Sequence, residues 1–189
     1  MVFRGLGPGL LAVAVFALSH GQTLGQANVP SGYSETLRWY HERAQAGDAR
    51  AQFLLAIKYE TGTDVPRDLS IAADLYEKVA RQGHADAQFK LATLLADRPS
   101  SAERDAAILS WYRAAALQGH APAQYNLAVV LLNAAEDTDA RTEAAAWVIR
   151  AARSGLAQAK SMQDRLLAQL PEDAVTNARR LAEVPLSQQ

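Results

Sequence analysis

Few side chains in this sequence have a type and spacing that could do chemistry. His41-Glu42-Arg43-Ala44-Gln45 comes near the H-E-x-x-H pattern of zinc hydrolases, but glutamine stands where the second imidazole would bind. Adjacent residues on a helix also point to different faces, so His41 and Glu42 do not converge. His84 and His120 each follow a glycine directly, 36 residues apart. Equivalent positions in stacked helices lie about 10 Å apart, too far to share an ion, so these histidines are expected to bond helix-end carbonyls. Glu136, Asp137 and Asp139 crowd one loop without the glycine bend and fixed oxygen spacing of a calcium loop. There is no G-x-S-x-G elbow and no Gly-Lys phosphate loop, and no lysine lies three residues after a serine. Trp39, Trp111 and Trp147 could stack a sugar ring, but they recur at the spacing of a packing column. Cysteine is absent, which removes disulfides, thiolate metal sites, a cysteine nucleophile and a lipid anchor on cysteine. No catalytic residue, metal or cofactor is expected.

Composition narrows the class further. Apolar residues make up 49% of the 189 and charged residues 21%, which suits a chain that buries a core. The net charge is −1 and no basic cluster occurs, so nothing displaces counterions from a nucleic acid. Alanine is abundant and β-branched residues are sparse beyond the N-terminus, which favours helix.

The elements that position these residues begin after a separate leader. Arg4 precedes an unbroken apolar run from Leu10 to Leu18, followed by Ser19, Gly21, Gly25 and Ala27. Nine helical residues rise only about 14 Å, roughly half a bilayer core. Basic, then apolar, then small is the order of a secretory signal. Residues 1–27 are therefore expected to be a signal segment, cut after Gly21 or after Ala27, with an uncleaved anchor as the alternative. Residues 28–33 read as a linker, and export to the periplasm or the medium follows as an expectation.

Beyond the leader, one pattern recurs. Gly47, Gly83, Gly119 and Gly155 are spaced 36 residues apart. Four residues after each comes alanine: Ala51, Ala87, Ala123 and Ala159. Gln52, Gln88 and Gln124 follow, then Phe53, Phe89 and Tyr125, then Leu55, Leu91 and Leu127, then Ala56, Ala92 and Ala128. Eight residues before each glycine sits Trp39, Leu75, Trp111 or Trp147. Ala51, Leu55 and Tyr59 share one face of a first helix, A, and Ala107, Trp111 and Ala115 one face of a second, B. Each glycine falls just past helix B, where a left-handed cap is wanted. The fold is expected to be all-α, a solenoid of helix pairs. It comprises a half-unit at 34–47, full units at 48–83, 84–119 and 120–155, a capping helix at 156–170, and a short helix and frayed tail at 171–189. Ser34 is expected to cap the first helix.

These columns resemble the Sel1-like repeat family, relatives of tetratricopeptide repeats. The best match runs through Ala49-Arg50-Ala51-Gln52-Phe53, Tyr59, Gly62, Val65, Asp68, Ala72, Leu75-Tyr76 and Ala80 to Gly83. Trp111 to Gly119 is close to the second half of the pattern. The loops at Asp97–Ser101 and Glu136–Asp139 depart from it. The resemblance implies a right-handed solenoid whose A helices line the inner face and whose function is protein binding. A cysteine-rich branch of the family is linked to penicillin binding and β-lactam hydrolysis, and this chain lacks that branch's cysteines.

If the core uses the fourth, eighth and twelfth positions after each glycine, the third, seventh and tenth point outward. These are Arg50, Leu54 and Ile57, then Asp86, Lys90 and Thr93, then Pro122, Asn126 and Val129, with Val130 beside them. Apolar groups at such places either mark a binding groove or pack against the neighbouring repeat or the C-terminal helix. Arg50 and Lys90 are expected to pair with acids of a peptide, and Leu54, Ile57 and Val129 to bury its apolar side chains. The expected role is an interaction module or scaffold in the cell envelope. A cell-wall-related enzyme, and a regulator that sequesters an envelope enzyme, are the alternatives.

Overall fold

The structure, a computed structural model, describes residues 34–188; the expected leader and linker lie outside the described residues. Those residues form α1 (Glu35–Gln45), α2 (Ala49–Thr61), α3 (Leu69–Arg81), α4 (Ala85–Ala96), α5 (Ala102–Leu117), α6 (Ala121–Ala134), α7 (Thr138–Arg153), α8 (Ala157–Leu167) and α9 (Glu172–Glu183). No strand occurs among them. Helices α2, α4, α6 and α8 stand at the A positions, and α1, α3, α5 and α7 at the B positions. Successive helices from α1 to α8 pack on one another, which makes an α-solenoid, and α9 packs on α7.

Caps set the helix boundaries. Ser34 accepts a bond from the Leu37 amide, and Asp48, Asp68, Ser101 and Asp137 serve α2, α3, α5 and α7 in the same way. The four turn glycines hold φ between 83° and 90°, a region that strains any residue with a Cβ. Their amides return to Ala44, Ala80, Ala116 and Ala152, and the next amide returns to the carbonyl one residue earlier, on Arg43, Val79, Ala115 and Ala151. This double bond pattern is the Schellman cap, so the left-handed turn expected from spacing is the one formed.

Packing follows the columns. Ala51, Ala87, Ala123 and Ala159 are buried, as are Leu55, Leu91, Leu127 and the alanines after them. Small residues let the helices approach, and leucine and aromatic side chains fill the grooves. The tryptophan column is only partly a core column. Trp147 is buried and Trp111 half-buried, but Trp39 is 53% exposed. Trp39 lies on the side of α1 that matches the side on which the later B helices meet a preceding A helix, and no described helix packs there.

The C-terminus also departs from expectation. Leu186–Gln188 form a 3₁₀ turn, and Leu186 packs against the core, so this stretch is not a frayed tail. Helix α9 lays Ala174, Ala178 and Ala182 against the body of the fold, largely on α7. Helix α7 is consequently buried on nearly all sides.

Candidate functional site: the outward face of the A helices

On α2, Arg50 is exposed and Leu54 is 41% exposed, while Ile57 is half-buried against the core. On α4, Asp86 is exposed and Lys90 and Thr93 are half-buried. On α6, Pro122 is exposed, and Asn126, Val129 and Val130 are half-buried. The strip read as outward-facing is thus open at α2 and progressively tied down along α4 and α6.

Two tyrosines do the tying. The Tyr76 hydroxyl donates to Glu60 at 2.5 Å, and Lys90 reaches both Glu60 oxygens at 3.0 and 3.2 Å. This triad links α2, α3 and α4. One unit on, the Tyr112 hydroxyl lies 3.2 Å from the Thr93 hydroxyl and accepts from Asn126 at 3.1 Å. Burial raises the Tyr76 pKa far above its ordinary value, and its bond to Glu60 adds to the effect. Lys90, expected to pair with an acid of a peptide, is the counter-ion of Glu60. Lys90→Glu would place two carboxylates together and lower stability, so it is not a clean probe of binding.

The turn histidines take other roles than expected. His120 caps α6: its Nδ1 accepts from the Ala123 amide at 3.1 Å, and its Nε2 lies 3.1 Å from Asp86. The hydrogen therefore sits on Nε2. His84 makes no cap bond and stacks on Phe53, as His120 packs on Phe89. His41 is buried with its ring edge-on to Tyr59, whereas Glu42 is exposed. Among the described residues no three of His, Asp and Glu gather closely enough to hold a metal.

Burial lowers the His41 pKa below 6.5. The unfolded chain then takes up this proton before the folded one does. Stability is therefore present above about pH 6.5 and falls as pH drops through and below that value. His41→Phe is expected to flatten this part of the acid limb relative to wild type in urea unfolding at stepped pH. Parallel pH profiles for the two proteins would contradict it.

The sequence pattern carried a further network that spacing alone does not announce. Gln52, Gln88 and Gln124 are buried, and each amide nitrogen donates to the carbonyl of Ala44, Ala80 or Ala116 in the preceding B helix. The residue before the turn glycine completes the ladder: Gln82 donates to the Gln52 oxygen at 3.3 Å, and Gln118 to the Gln88 oxygen at 2.8 Å. At the third junction that place is Ser154, whose hydroxyl bonds Arg150 instead, and the buried Gln124 oxygen is left without a partner. Ser154→Gln is expected to supply the missing donor and stabilise the fold by about 1 kcal/mol. An unchanged or lower denaturation midpoint would show that the Gln124 oxygen needs no such partner.

Stacked helix pairs, a glycine turn every 36 residues and a buried Ala-Gln after three of the four glycines define a helical repeat protein. The Sel1 repeat family model matches residues 49–84, 109–120 and 121–156. A protective antigen present in uropathogenic Escherichia coli strains, displaying an SLR fold, is similar with a TM-score of 0.63 and 29% identity over 77% of this chain. The chain spans 32% of that antigen's length. A Sel1 repeat protein from Oxalobacter formigenes is similar with a TM-score of 0.59 and 27% identity, over 70% of this chain and 99% of that one. No curated protein matches the sequence. The chain belongs to the Sel1-like repeat proteins, and Sel1 repeats suggest a protein–protein interaction module. The partial match at 109–120 reflects the second unit's Asp97–Ser101 loop, which lacks the family's Gly-Val-Asp turn.

Proposed function

We propose that this protein is an exported binding module that holds a peptide of an envelope protein along the outward face of α2, α4 and α6. The observation that carries it is the pairing of exposed Leu54 with exposed Arg50 on α2, beside a row already fixed by hydrogen bonds. An apolar anchor beside a cation, on a rigid support, is what a peptide needs to bind with little ordering cost. Ile57 extends the apolar part, and Thr93, Asn126 and Val129 extend the strip. Scaffolding and sequestration of an enzyme are two consequences of the same capture.

The test is photo-crosslinking in the cell from Leu54, Asn126 and Val129, with Gln163 on α8 as control. One protein captured from the three sites and not from the control is the expected result. The double variant Arg50→Glu, Leu54→Ser should abolish that capture with an unchanged melting temperature, because both side chains are exposed. Capture that survives the double variant would refute the groove. N-terminal sequencing of the envelope fraction tests export: a chain beginning after residue 21 or 27 is expected.

A further inference from the structure

Helices α5, α7 and α9 line a cleft of about 440 Å³, within the size range of small-ligand sites. Two B helices and α9 build it, not the A helices of the proposed groove, so it stands apart from that reading. Its apolar walls are Leu117 of α5, Ala146 of α7 and Leu181 of α9. Glu143, Ala146 and Arg150 share one face of α7, and the seven residues from Glu143 to Arg150 rise about 10 Å. Arg113 and Glu143 therefore stand at one end of the cleft and Arg150 at the other.

The charges around this cleft do not cancel. Glu143 pairs with Arg113 at 3.0 Å, and Glu183 lies 3.6 Å from Arg153. Arg150 is the arginine left over, with no carboxylate at ion-pair distance among the described residues. Its Nη2 donates to the Leu181 and Val184 carbonyls, while Nε and Nη1 keep hydrogens to give. The Trp147 ring lies 5.4 Å from its Cζ, so the guanidinium is fixed before any ligand arrives. Burial, and then Arg153, work against its charge. A fixed, half-buried cation with donors to spare and no counter-ion is half of an ion pair.

We propose that the cleft binds a carboxylate with a compact apolar body, its oxygens on Arg150 and its carbons along Ala146 and Leu117. One surplus positive charge matches a monoanion. The remaining donors of Arg150 give a carboxylate charge-assisted bonds. Walls of leucine and alanine reward carbon, which an inorganic anion lacks. The C-terminal residue of a peptide and a short aliphatic acid share this chemistry.

The probes are N-acetyl-leucine and hexanoate, with N-acetyl-leucinamide as the neutral control. Each is titrated into the isotope-labelled intact protein while the Trp147 indole N–H signal is followed by NMR. A saturable shift with at least one acid, and none with the amide, is expected. Ala146→Leu fills the cleft and should abolish the shift. Arg113→Gln leaves the Glu143 charge unopposed and should weaken binding about threefold, whereas Glu143→Gln should tighten it by a similar factor. Both variants should keep the melting temperature, because each side chain is close to half exposed. Tighter binding of acetyl-leucine assigns the site to a peptide C-terminus and tighter binding of hexanoate to a free acid, and either supports it. No saturable shift, an equal shift with the amide, or weaker binding to Glu143→Gln overturns the proposal.

Discussion

Tyr76→Ala is expected to lower the unfolding free energy by about 3–5 kcal/mol, the range for truncating a large buried aromatic. Tyr76 is the largest fully buried side chain among the described residues. Its ring meets Phe53 edge-on at 5.6 Å, and its hydroxyl holds Glu60. Truncation leaves a cavity between α2 and α3 and removes one of the two groups that hold the Glu60 carboxylate. Tyr76→Phe separates the two effects: the ring stays, Lys90 still holds Glu60, and a loss of about 1 kcal/mol is expected. Because Glu60, Tyr76 and Lys90 span three helices, the alanine variant should also loosen the junction between the first and second units. In a stack stabilised by nearest-neighbour interfaces, that favours a broader transition in which the N-terminal units open first. Hydrogen exchange resolved by segment, with denaturant melts, measures this. A loss under about 1 kcal/mol for the alanine variant would mean that the neighbours collapse into the space.

Much of this architecture was legible because each unit repeats the same physical solution. The alanine, leucine and glycine columns define which faces close and where helices stop, and backbone sterics turn each glycine into a cap. What was not legible is what depends on the neighbours of a terminal helix or on a bond between units. Trp39 has the same residue type as Trp147, but no described helix packs on its side of α1 and it is exposed. Lys90 sits at an outward position, but Glu60, 30 residues away on a neighbouring helix, claims its charge. His84 and His120 occupy one repeat position, yet only His120 caps its helix. The glutamine ladder was visible as a conserved spacing within the chain, from Gln52 to Gln88 to Gln124. Its partners, Gln82 and Gln118, have meaning only once the turns bring successive units together. Arg50 and Leu54 are exposed as their spacing predicts, whereas Lys90, Thr93 and Asn126, read as outward-facing in the same way, bond side chains of neighbouring helices.

Arg150→Ala is expected to release α9 at a cost of about 2–4 kcal/mol, since bonds from a charged donor contribute more than neutral ones. The Arg150 guanidinium donates to the carbonyls of Leu181 and Val184 at 2.7 and 2.6 Å. These lie at the end of α9, where a helix presents unpaired carbonyls and the negative end of its dipole. A cation on α7 thus caps α9 from outside. Arg153 adds a bond to Ala182 at 3.3 Å and lies 3.6 Å from Glu183. The apolar part of this contact is thin, because Ala174, Ala178 and Ala182 bury little area each, so the arginines carry a large share of the docking. Burial, with Arg153 nearby, lowers the Arg150 pKa from its ordinary value. Arg150 also packs over the Trp147 ring at 5.4 Å, beside a cleft of about 440 Å³ lined by Arg113, Glu143 and Leu181. Undocking α9 would widen that cleft and expose Trp147, shifting its emission to the red while the A-helix amides of the first two units keep their protection. Protease cleavage should appear near residues 168–171, the turn between α8 and α9. If α9 amides stay protected in Arg150→Ala, the alanine stripe and Leu186 hold the helix without the cap, and C-terminal closure of the solenoid is a packing effect, not an electrostatic one.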